Sequence, residues 1–229
     1  MAFYSEIGKI GKGGIVKEGI FVRFNESPDL RPACPDNYGD SATHKKLLIV
    51  GESNYLEENT DSVFKDPEAW YKGEDTQSLL PKDEKEKKKI IKDFSNWKAN
   101  TINVNKLCES MNAVGIKCGA VYDEAVYYNY FLRPAIKGNK LSFDKDCTDL
   151  DREVAGEALC GIIDLLTPDI VIFASKYAFE EFQKYRELHN MDYKDTVIEY
   201  VNHPSWGNSW NDDNGKQKFE ELLKKYWLK

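Results

Sequence analysis

Four short stretches gather the residue types that do chemistry: Gly51-Glu52-Ser53-Asn54-Tyr55, Asn129-Tyr130-Phe131-Leu132-Arg133-Pro134, Ala174-Ser175-Lys176 and Asn202-His203-Pro204-Ser205-Trp206. Together they offer a carboxylate, carboxamides, hydroxyls, an arginine and a histidine. Such a set can orient a polar ligand, move a proton and donate hydrogen bonds to developing negative charge. Each stretch follows a run that reads as a β-strand. In open parallel α/β sheets, ligands bind beyond the carboxyl ends of the strands. The four stretches would therefore meet along one edge, and that convergence is the signal rather than any single residue.

The elements that must position them are legible from patterning. Lys46-Leu47-Leu48-Ile49-Val50, closed by Gly51, is continuously apolar and fits a strand buried on both faces. Ala125-Val126-Tyr127-Tyr128 reads as the second strand, followed by a loop from Asn129 to Asp146. Asp169 to Ala174 reads as the third strand and Thr196 to Val201 as the fourth. Between them lie helical patterns. One runs from Pro81 to Asn96, with Ile90, Ile91 and Phe94 inward and a solvated lysine cluster at 85, 87, 88 and 89. Another runs from Thr101 to Asn112. A third is capped by Thr148 or Asp149, carries Val154, Ala158, Ile162 and Leu165 as its apolar stripe, and stops at Thr167-Pro168. Helices from Lys176 to Glu187 and from Asn214 to Trp227 complete the set. Alternating strands and helices predict an α/β fold: a three-layer sandwich with a mostly parallel central sheet of about four strands and helices on both faces. The length of 229 residues fits a single domain, its core beginning at about residue 45 after an N-terminal extension over 1–44.

Composition narrows the partners. Lys and Arg number 32 against 39 Asp and Glu, a net charge of −7. That argues against a protein that coats duplex nucleic acid by bulk electrostatics, though not against a small basic groove on an acidic body. The strand-end stretches carry little of the acidity. From Asn129 to Lys140 the charges are Arg133, Lys137 and Lys140, and from Asn202 to Asn211 there are none. The five cysteines, Cys34, Cys108, Cys118, Cys147 and Cys160, are odd in number and widely spaced. They predict reduced, mostly buried thiols rather than a disulfide framework or a zinc site, and a cytoplasmic location. No signal peptide and no apolar run of membrane-spanning length is expected. The Gly- and Lys-rich stretch over residues 8–19 lacks the strand and the terminal Gly-Lys-Ser/Thr of a phosphate loop, and reads as a surface loop.

A strand followed by Gly-Glu-Ser-Asn-Tyr, a strand followed by Asn with Arg-Pro soon after, and a late strand ending in His-Pro-Ser resemble the uracil-DNA glycosylase superfamily. The resemblance covers most of the chain from Leu47 to about Trp210. It implies hydrolysis of the N-glycosidic bond of a flipped uracil or other damaged base, a DNA-repair activity of the base-excision type. It also implies roles. Asn129 would read the base edge with its paired donor and acceptor, and Tyr55 would wall the pocket. His203 would hydrogen-bond the leaving base. Ser205 and the backbone after Pro204 would touch phosphate, and Trp206 would stack or wedge. Gly51, Glu52, Ser53 and Asn54 form the first motif, which contacts the nucleotide and positions water; Arg133 joins the substrate-binding set. Two departures bear on activity. Ser53 stands where the family commonly carries Asp or Asn to position water, and Asn54 replaces the usual proline. The iron–sulfur branch also has a Glu at the position of Glu52, but its four-cysteine pattern is missing, so no cluster, metal or other cofactor is expected.

Two other readings stay open. Gly51-Glu52-Ser53 is similar to the Gly-Asp-Ser opening of the SGNH hydrolases, with Ser53 as nucleophile and His203 as base. The orienting Asp three residues before the histidine is Tyr200 here. Alternatively, a pocket that has lost hydrolysis would leave a binder of nucleotides or damaged DNA. His44 and His189 sit in polar, loop-like contexts and read as incidental.

Overall fold

The computed structural model describes residues 32–35, 38–56, 67–72, 102–136, 147–204 and 207–229. The helix expected over Pro81 to Asn96, most of the N-terminal extension, and Ser205 with Trp206 lie outside the described residues. The elements run β1 (Leu47–Leu56), α1 (Pro67–Lys72), α2 (Ile102–Ala113), a 3-10 turn (Val121–Asp123), β2 (Val126–Ile136), α3 (Asp149–Leu166), β3 (Ile170–Phe173), α4 (Lys176–His189), β4 (Val197–Tyr200), α5 (Gly207–Trp210) and α6 (Lys216–Leu222). The last helix continues as a π-helical turn, Leu223–Trp227.

The four strands form one sheet in the order β2-β1-β3-β4. β1 pairs with β3 in parallel, Leu47 opposite Ile170 through Val50 opposite Phe173, and β3 pairs with β4 in parallel, Ile170 opposite Val197 through Phe173 opposite Tyr200. The fold is α/β with a mostly parallel sheet. Leu47 to Val50 and Ile170 to Phe173 all have 0% exposure. Successive side chains of a strand point to opposite faces, so this uniform burial means both faces at the sheet centre are covered. β4, at the end of the order, is only half-buried along its length.

Two expected strand ends are corrected. β1 was expected to stop at Val50 and β2 at Tyr128, with the polar motifs in the loops beyond. β1 instead continues through Gly51-Glu52-Ser53 to Leu56, and β2 through Asn129 and Arg133 to Ile136. Gly51 is accommodated in extended backbone rather than ending the strand, and Tyr130-Phe131-Leu132 continue the buried apolar run past Asn129.

The chain divides into two compact units. One contains residues 32–52, 102–128 and 166–229, and the other 53–56, 67–72, 129–136 and 147–165 among those described. In the first, α4 is fixed at both ends. Ser175 caps it by accepting a hydrogen bond from the Ala178 amide at 3.2 Å, and Asn190 ends it in the left-handed region. Its Phe182 packs on Phe173 of β3, ring centroids 5.4 Å apart. α2 ends in a Schellman motif: Ile116 N–H donates to the Met111 carbonyl at 3.1 Å and Gly115 N–H to Asn112 at 3.0 Å. Gly115 has φ +95°, which is why a glycine stands there.

The C-terminal residues of the same unit clasp the start of β1. Lys45 N–H donates to the Trp227 carbonyl and the Trp227 indole N–H to the Lys45 carbonyl, both at 2.8 Å, while Lys229 N–H reaches Thr43 O at 3.0 Å. His44 lies against the Trp227 ring, and its Nε2 is 2.9 Å from Glu124 Oε2. The reading of His44 as an incidental loop residue is thereby corrected, because its buried ring is part of this clasp. His189 is likewise not in a loop; it closes the last turn of α4, stacked on Tyr185.

In the other unit, Thr148 caps α3 reciprocally with Asp151. The Thr148 amide donates to Asp151 Oδ2 at 2.8 Å, and the Asp151 amide donates to Thr148 Oγ1 at 3.3 Å. This is a capping box with Asp in the third helical position. The helix stops as expected at Thr167-Pro168, Thr167 adopting φ +44°.

Candidate active site at the carboxyl ends of the strands

The strand order places β2 on one side of β1 and places β3 and β4 on the other. Between β1 and β3 the sheet therefore switches direction of growth, and crevices open at the carboxyl end of such a switch point. Glu52 sits just past the β1–β3 pairing and Ser175 just past β3. The Ser175 hydroxyl donates to Glu52 Oε2 at 2.6 Å while accepting from the Ala178 amide. The helix N-terminus thus steers a serine proton toward the carboxylate. Glu52 remains half-buried and Ser175 is buried.

The ladder beyond β4 leads to His203. Val201 N–H donates to the Phe173 carbonyl at 2.7 Å, continuing the pairing past Tyr200. Asn202 then anchors the turn. Its amide donates to Asn214 O at 2.7 Å, and its Nδ2 reaches both Asp212 carboxylate oxygens at 2.8 Å and Ser209 O at 3.2 Å. On the other side of His203, the Lys106 ammonium of α2 donates to the Pro204 carbonyl at 2.6 Å. His203 is therefore held between two fixed neighbours. Burial lowers its pKa to about 4, helped by the positive charge of Lys106. At neutral pH the ring is uncharged, with one nitrogen carrying a proton to donate and the other a lone pair.

The remaining expected site residues divide by unit. Gly51 is buried within β1 in the same unit as Glu52 and His203. Ser53, Asn129 and Arg133 belong to the other. Ser53 is buried, and its hydroxyl has no hydrogen-bond partner among the described residues. Nothing there takes its proton, which a nucleophilic serine requires. Asn129 is buried inside β2. Of Asn54 and Tyr55 the backbone alone is described, in the second half of β1.

Arg133 is committed to an internal partner. Its Nε donates to Asp151 Oδ1 at 2.8 Å and its Nη2 to Oδ2 at 2.6 Å, a bidentate pair with 5% and 0% side-chain exposure. Tyr71 donates to the same carboxylate at 2.8 Å, and the Thr148 hydroxyl does so as well. Asp151 holds Tyr71, Arg133 and the start of α3 together, and the substrate-binding role implied for Arg133 gives way to this structural one.

Three residues of consequence were missing from the expected site. Ser175 stood in view after the third strand, and its position before a helix signalled a cap. Asp151 was signalled by the Thr148-x-x-Asp spacing of a capping box. Lys106 had no sequence signal, because its partner lies 98 residues away. Among the described residues, no cluster of three or more His, Cys, Asp or Glu is placed to hold a metal ion, and no helix is long and apolar enough to cross a membrane. No protein-family model matches the chain and no curated protein matches it, so the residues themselves carry the functional argument.

Proposed function

We propose that the chain is a divergent uracil-DNA glycosylase-like protein. It would take a flipped nucleotide at the carboxyl edge of the sheet and hydrolyse the N-glycosidic bond of uracil or another damaged base. The observation that carries this reading is His203, uncharged and fixed on an anchored turn beyond β4. As the bond from the sugar to the base nitrogen breaks, negative charge accumulates on the base. A preoriented neutral N–H stabilises that charge without losing its proton, and such donors are worth roughly 2.7–4 kcal/mol in a water-poor site. Lys106 adds favourable potential on the same turn.

Ser53 at neutral pH is a poor base, so Glu52 is assigned the water. Its Oε2 accepts from Ser175, and the carboxylate would accept from a water directed at the sugar carbon. That water supplies hydroxyl to the sugar, and its proton leaves toward the carboxylate before the released base is protonated from solvent. The net charge of −7 fits a protein that grips one nucleotide closely rather than holding long DNA.

The test is release of free base from single- and double-stranded oligonucleotides carrying uracil or related lesions. Release that is lost in His203→Ala supports the reading. Lesion binding with no release across the panel removes hydrolysis and leaves a nucleotide-binding pocket. Ester turnover abolished by Ser53→Ala overturns the reading in favour of an esterase, which the partnerless Ser53 hydroxyl opposes.

A further inference from the structure

The Schellman turn at the end of α2 has a chemical result. By reversing the chain at Gly115, it returns Cys118 alongside the helix, where its sulfur lies 3.0 Å from that of Cys108. The approach is held by a separate clamp. Asn112 Nδ2 donates to the carbonyls of Cys108 at 2.9 Å and Cys118 at 3.2 Å, and its Oδ1 accepts from the Cys118 amide at 3.3 Å. Both cysteines are thiols, Cys108 buried and Cys118 half-buried. A disulfide bond is ~2.05 Å long, so roughly 1 Å of approach separates this pair from a covalent link.

We propose that Cys108 and Cys118 form a reversible intramolecular disulfide, made by exchange with a low-molecular-weight disulfide. Cys118, the more accessible, attacks one sulfur of the reagent as its thiolate, forming a mixed disulfide and expelling one reagent thiolate. Cys108 then attacks the Cys118 sulfur and expels the second. The two protein protons end on the two released thiols, so one disulfide is exchanged for another and the reagent is reduced. The link fastens the end of α2, the helix that carries Lys106, to the loop before the 3-10 turn. The first attack is slow at neutral pH. Burial, then the hydrogen bond with Cys108, and beyond these Asp123 and Glu124, hold the Cys118 thiol above the ordinary range.

The experiment treats the folded, reduced chain with oxidised glutathione and follows intact mass, thiol count and disulfide-mapped peptides. The expected result is loss of two of the five thiols with no glutathione retained, a Cys108–Cys118 cross-link reversed by dithiothreitol, and faster reaction at alkaline pH. Closure in the folded chain should exceed that in the urea-unfolded chain roughly tenfold or more, because the fold supplies the proximity. In Cys108→Ser the first step proceeds and the second stalls, leaving glutathione on Cys118. Stable glutathione adducts on the unsubstituted chain overturn the proposal. So do cross-links shared with Cys34, Cys147 or Cys160, or closure no faster in the folded chain than in the unfolded one. These readouts on the unsubstituted chain decide the matter even where Cys108→Ser fails to fold.

Discussion

Two polar regions, one around Asp151, the buried partner of Arg133, and one around His203, have opposite character. Around Asp151 every group faces inward: its carboxylate, with 0% exposure, accepts at least five hydrogen bonds from Tyr71, Arg133 and Thr148. Around His203 the turn is anchored through its neighbours Asn202 and Pro204, and the half-buried ring is uncharged. A buried charge whose lone pairs are saturated holds elements together and has nothing left to offer a ligand. On the proposed function, a neutral donor on a braced turn suits a charge that appears only during reaction. Scaffold and proposed site thus differ in how their groups are held: one is a buried carboxylate saturated by charged and polar donors, the other a neutral ring on a braced turn.

The comparison can be broken most severely at Asp151. Asp151→Ala leaves Arg133 buried without its bidentate partner, and should cost about 3–5 kcal/mol in chemical denaturation. A cost near that of a surface ion pair would show the cluster is not the scaffold. Next in size, His203→Ala should reduce base release about 100-fold or more while leaving the unfolding midpoint nearly unchanged. An equal loss in His189→Ala, on the last turn of α4, would remove His203 from the mechanism.

A smaller effect is expected at Ser175, where both regions' styles meet in one hydroxyl. Ser175→Ala removes the α4 cap and should cost about 1 kcal/mol, and it should also alter base release through Glu52. Stability lost with activity unchanged would confine Ser175 to capping. A further effect is in titration. With His203 lowered to about 4 in the folded chain and near 6.5 when unfolded, the unfolded state binds more protons between those values. Its contribution to stability should therefore be intact above about pH 6.5 and decline as pH falls toward 4. Lys106→Met should move the His203 midpoint upward, as followed by NMR of the ring protons; a midpoint that stays put would assign the lowering to burial alone.

The legible part of the fold was what local pattern decides. Leu47 to Val50 and Ile170 to Phe173 were recognisable because uninterrupted apolar runs of that length fit doubly covered strands. α3 was recognisable because Thr148 or Asp149 announces its start and Val154, Ala158 and Ile162 mark its apolar stripe. The strand ends at 56 and 136 were not legible, because Gly51 and Asn129 are ordinary breakers whose extended geometry is decided by sheet pairing and burial. Within the proposed site, Gly51 to Tyr55 and Asn202 to Trp206 supply Glu52 and His203, the two residues on which the proposed function rests. The pairing of Arg133 with Asp151, 18 residues on, was not legible because the first turn of α3 holds both Asp149 and Asp151 and local pattern does not say which of them turns inward. Lys106 and the fate of His44 depend on contacts across most of the chain, which no local pattern encodes.

The clasp between residues 43–45 and 227–229 bears on when this protein can fold. β1, at the centre of the sheet order, is preceded by backbone groups whose partners are Trp227 and Lys229. On the ribosome, synthesis delivers residues one at a time, at about 5–20 per second. The first strand is therefore complete long before the residues that seal its start have been made. Until residue 229 clears the exit tunnel, the apolar run 47–50 stays open at that end, and the nascent chain presents it to chaperones and to neighbouring chains. Removing Trp227 to Lys229 should thus show first as poor yield of folded protein.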